Sequence, residues 1–71
     1  MSEHQDSEVD KVAQAIQGLI GRASRGRMIV RPARSASMIA KFFPASGITE
    51  AEIAERITIA AIHALVRVEI T

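Results

Sequence analysis

The chain has no cysteine, tryptophan or tyrosine, and its only aromatic residues, Phe42 and Phe43, stand side by side. Without cysteine, neither disulfides nor thiolate metal sites can brace the fold. Scarce aromatics leave the core to aliphatic side chains, and 48% of the residues are apolar, Ala and Ile foremost. Acids are missing from one long stretch. Between Lys11 and Thr49 there is none, against seven cations: Lys11, Arg22, Arg25, Arg27, Arg31, Arg34 and Lys41. Glu3, Asp6, Glu8 and Asp10 precede this block, and Glu50, Glu52 and Glu55 follow it, so a net charge of +1 conceals segregated charge. Such a basic field is either a solvated face balanced by the acidic N-terminal residues or a surface for an anionic partner.

At 71 residues the chain is read as one small helical domain spanning 1–71, its first few residues flexible. A chain of this size buries only about 60% of its unfolded surface, so a homodimer is the expected route to stability. The acidic, polar first ten residues do not resemble a signal peptide. The most apolar run lies between Arg56 and Arg67, shorter than the roughly 20 residues of a membrane span. The expectation is a cytoplasmic protein with no membrane contact.

The apolar spacing predicts a mainly α fold with three helices, at about 7–24, 33–43 and 50–66, and a short extended segment at 27–31. In the first helix Val9, Val12, Ala13, Ile16, Ile20 and Ala23 recur at intervals of three and four. Asp6 or Ser7 suits its cap, Glu8 and Asp10 its positive end, and Gly26 its termination. Gly18 and Gly21 each weaken it by about 1 kcal/mol relative to Ala. Pro32 biases Arg31 toward extended geometry and fits the first turn of the next helix. There Ala36, Ile39, Ala40 and Phe43 form an apolar stripe that Pro44 ends. Thr49 and Glu52 form a Thr-x-x-Glu capping box, and Ile48 is placed to staple onto Ile53. The later part of the third helix, "ITIAAIHALV", is apolar nearly all round, and a helix apolar on two sides must be covered on two sides. A second copy of the chain, meeting Ile59, Ile62 and Val66, is the expected second cover. The tail "RVEIT" reads as a frayed helix end or a short strand.

Catalytic and metal chemistry find little support. His4 and His63 are far apart in sequence, and neither has a carboxylate at i+3 or i+4 on an obvious ligand face, so a packed or interface role suits His63 better than ligation. Ser35 and Ser37 have neither His nor acid nearby in sequence and no nucleophile elbow. "GLIGRASRG" lacks the Lys-Ser/Thr ending and strand–turn–helix setting of a phosphate-binding loop. The chain is therefore not expected to be an enzyme or to carry a cofactor or metal.

From "MIVRP" through the Ala36–Ile39–Ala40–Phe43 stripe, Gly47, the Thr49 cap, Ile53 and Ile57, residues 27–66 resemble the ribbon-helix-helix family of small DNA-binding repressors. The resemblance implies a strand paired with its copy in a second chain and inserted into the major groove. Arg27, Ile29 and Arg31 would then face the DNA, Met28 and Val30 the dimer core, and Thr49 a phosphate.

Two functions follow from these observations. One is a dimeric DNA-binding transcription regulator, using Arg22, Arg25, Arg27, Ile29, Arg31, Arg34, Lys41 and Thr49. The other is a protein-binding helical module, such as a phage-type inhibitor or an accessory subunit, whose arginines meet an acidic protein surface. Arg is favoured at both kinds of interface.

Overall fold

The computed structural model describes residues 8–69; the flexible start and the Asp6 or Ser7 cap expected from the sequence lie outside them. The fold is mainly helical: α1 (Glu8–Gly26), α2 (Pro32–Phe42) and α3 (Glu50–His63), with a single 3-10 turn at Pro44–Ser46 before α3. Among the described residues no strand forms, and none of the helices is long and apolar enough to cross a membrane. α2 and α3 pack most extensively on each other, and α1 lies against α3. The Ala45 N–H donates to Glu8 Oε1 at 3.0 Å, which ties the start of α1 to the turn between α2 and α3. At the opposite end, the short connection from α1 to α2 meets the segment that follows α3. α1 and α3 therefore point the same way and α2 runs back, leaving a turn end and a tail end.

The core is aliphatic. α1 contributes Val12, Ile16, Ile20 and Ala23, α2 Ala36 and Ile39, α3 Ile53, Ile57 and Ala61, and the α1–α2 connection Val30. Phe43, Ile48, Leu19, Val66 and Val68 pack at its edge. Val9 and Ala13, expected on the buried face of α1, are exposed, and Ala15 and Leu19 are drawn in instead. Both rows satisfy a spacing of three and four. The choice between them falls to the docking of the helix on α3.

Helix starts follow local chemistry. Pro32 opens α2 behind an extended Arg31 (φ −111°, ψ 98°), where its missing N–H costs nothing. Thr49 Oγ1 accepts from the Glu52 N–H at 3.1 Å and caps α3. The Glu52 carboxylate takes up Arg56 Nη2 at 2.8 Å, the next turn along, so among the described residues only half of the expected capping box is formed.

The ends of α1 and α3 are alike. The Met28 N–H donates back to Ala23 at 2.9 Å around Arg27 (φ 54°), and the Val66 N–H donates back to Ala61 at 2.8 Å around Leu65 (φ 59°). These are Schellman closures, in which the left-handed position is usually glycine. Here Arg and Leu hold it. Past each closure the chain extends, and the two extended runs meet in one parallel bridge, Val30 with Val68. The Val30 N–H donates to Arg67 O, and the Glu69 N–H donates to Val30 O, each at 2.9 Å. The third helix thus stops at His63, short of the expected residue 66, because closure at Leu65 turns Val66 out of the helix and onto the core edge.

Candidate arginine-rich interface

Of the residues the sequence singles out, the fold brings most of the arginines to the tail end. Arg25 sits in the last turn of α1, and Arg22 one turn earlier. Arg27 is the left-handed closure residue, Arg31 precedes α2, and Arg34 lies in its first turn. Arg67, which the sequence reading passed over, joins them from the segment after α3. Glu55 and Glu69 border a depression with Pro32 and Ala33, and Glu69 Oε1 accepts from Arg31 Nε at 3.3 Å with both side chains about half exposed. Such an exposed pair contributes little stability, on the order of 0–1 kcal/mol.

Lys41 and Thr49 are not part of this group. Lys41 lies in the last turn of α2 and Thr49 begins α3, both at the turn end with Glu50 and Glu52. The acid-free block begins after Asp10, within the first turn of α1, and runs through α2 and the turn that follows, so its continuity in sequence wraps both ends of the molecule.

Three large apolar side chains stand among the arginines. Met28, Ile29 and Leu65 are exposed, Leu65 at 93%. With Arg27, Arg67, Ser24, Ala23 and Val66 they line an open depression of about 380 Å³. The residues expected at a dimer interface divide. Val30 is 2% exposed, enclosed by the chain's own core, and Val66 is half-buried at its edge. Ile59 and Ile62 are exposed on α3, and Ile59 borders a groove with Gln17 and Ile20 of α1. His63 borders the same groove and is exposed.

Two features escaped the sequence reading. Leu65 and Arg67 were read as helix or fraying tail, because no glycine, proline or asparagine marks the turn there. A second groove, between α1 and α2, is bounded by Gln14, Ala15, Leu19 and Arg22 on one side and Ser35, Met38, Ile39 and Phe42 on the other. Its signal was the unused exposed row of α2, Met38 and Phe42. No cluster of metal-ligating side chains occurs among the described residues. The chain matches no protein-family model, and comparison with curated proteins and with solved structures finds no significant similarity.

Proposed function

We propose that the chain is a small protein-binding module whose tail end docks on an acidic, partly apolar surface of a larger protein. The observation that carries this reading is the intermixing of exposed Met28, Ile29 and Leu65 with Arg25, Arg27 and Arg67. Protein interfaces are enriched in Met and Arg and hold apolar side chains inside a polar rim. A phosphate backbone rewards the cations but not a bare leucine. Both phenylalanines close α2 at the other end, so no phenylalanine lies here to stack on an unpaired base.

The test is capture from nuclease-treated lysate of the source cells, comparing the wild type with Leu65→Ser and with a double Arg27→Glu, Arg67→Glu variant. A protein bound by the wild type and lost from both variants supports the reading. Absence of any captured protein, or a captured protein that both variants retain, overturns it. The clustering of Arg22, Arg25, Arg27, Arg31, Arg34 and Arg67 favours a second reading, duplex DNA binding. That reading requires a mobility shift at ~50 mM salt that falls steeply as salt rises.

A further inference from the structure

We propose that two copies of the chain pair edge to edge through the segment after α3, antiparallel about Val68. The pairing lies at the tail end but does not rest on the docking role of the exposed apolar patch there.

The Val30–Val68 bridge occupies only one edge of the segment. Arg67 O and the Glu69 N–H both turn toward Val30 and bond it at 2.9 Å. Backbone groups alternate in direction along an extended run. The N–H and C=O of Val68 therefore point away from Val30, and among the described residues neither has a backbone partner. Buried backbone groups are almost always paired, so this unpaired couple marks an edge open to solvent. Side chains alternate too. Val66 and Val68 pack against the core, and Arg67 and Glu69 stand exposed on the opposite face.

Such an edge accepts another extended segment, and register selects a second copy as the occupant. Centred on Val68, an antiparallel copy exchanges both N–H···O=C bonds between the two Val68 residues. The two-fold axis then sets Arg67 directly opposite the copy's Glu69, twice. Arg31 engages Glu69 Oε1, which leaves Oε2 for the incoming guanidinium. The neighbouring registers fail. Centring on Arg67 sets arginine against arginine and requires the Val66 N–H, which is committed to Ala61. Centring on Glu69 sets carboxylate against carboxylate, and like charges directly opposite are destabilising. The segment is thus complementary to itself in one register, in both charge and hydrogen bonding. The run at 27–31 is not. Its Val30 groups are committed within the chain, and antiparallel pairing about Ile29 brings Arg27 against the copy's Arg31. The paired edge is short, so the dimer is weak, with a dissociation constant of about 10 µM to 1 mM.

The test is sedimentation equilibrium of the full chain from about 10 µM to 1 mM, which should show monomer and dimer in exchange. Hydrogen exchange at the Val68 amide should slow as concentration rises. Arg67→Glu sets glutamate against glutamate and Glu69→Arg sets arginine against arginine, so each should weaken the dimer by at least about tenfold. An equimolar mixture of these two variants should associate as the wild type does, and so should one chain carrying both substitutions. Val68→Pro removes a donor for which no described residue supplies a backbone acceptor. It should abolish the dimer while the helical circular dichroism signal persists. A wild type that stays monomeric to about 1 mM overturns the proposal. So does a dimer that both single variants retain, or a mixture that associates no better than its components. Partner capture through Leu65 is read separately, so failure of the docking role leaves the dimer standing, and the reverse.

Discussion

Gly47 at the turn end and Leu65 at the tail end are both held at positive φ, 77° and 59°. At the turn end the left-handed position is filled by the residue that adopts it freely, beside a Thr49 cap and a Glu8 carboxylate that satisfies the Ala45 N–H. At the tail end Arg27 and Leu65 take the same conformation against steric cost, and Leu65 then leaves its side chain in solvent. One end follows every local preference; the other breaks two of them within a single depression. Strain that persists beside an exposed apolar patch is where function is sought, and this asymmetry adds to the case for the docking role proposed for the tail end.

Four measurements sharpen the contrast. Ile57→Ala opens a cavity in the core that both ends share, and should cost about 2–5 kcal/mol in denaturant unfolding. A selective loss at one end, seen as residual helix by circular dichroism, would show that the ends are not one cooperative unit. Next comes an exchange of the left-handed residues. Gly47→Leu should destabilise by about 1–2 kcal/mol through backbone strain alone, since a Cβ there meets nothing within 4 Å. Leu65→Gly should stabilise by about 1 kcal/mol while weakening partner capture. Equal signs for the two would undo the comparison. Thr49→Ala removes the cap of α3 and should cost about 1 kcal/mol. Smallest of all, Glu69→Gln breaks the exposed pair with Arg31 and should shift stability by less than about 1 kcal/mol, an effect lost in high salt.

Much of the turn end was legible in the sequence, because Pro44, Gly47 and Thr49 each carry a local conformational preference. Pro32 marked the start of α2 in the same way. The tail end was not legible. Nothing local in "HALVRVEIT" marks a stop at His63, since the closure depends on Val66 reaching the core and on Val68 meeting Val30. The apolar face of α1 is legible in Val12, Ile16, Ile20 and Ala23, all buried, and only its edge differs, with Ala15 and Leu19 drawn in where Val9 and Ala13 are expected. The arginines are legible as a group, but Lys41 joins them by sequence order alone and Thr49 only through the ribbon-helix-helix resemblance. Arg67 was omitted because it is distant along the chain. Val30 was assigned to a partner chain because the residues that bury it come from beyond the third helix.

The Val30–Val68 bridge joins positions 38 residues apart, on either side of two helices and the turn between them. It closes only when both α1 and α3 have docked, so it forms after the local helical contacts. The amides of Val30 and Glu69 then become reporters on the whole molecule. In native-state hydrogen exchange they should open with the global free energy of unfolding, although they lie in non-helical connections where rapid exchange is the rule.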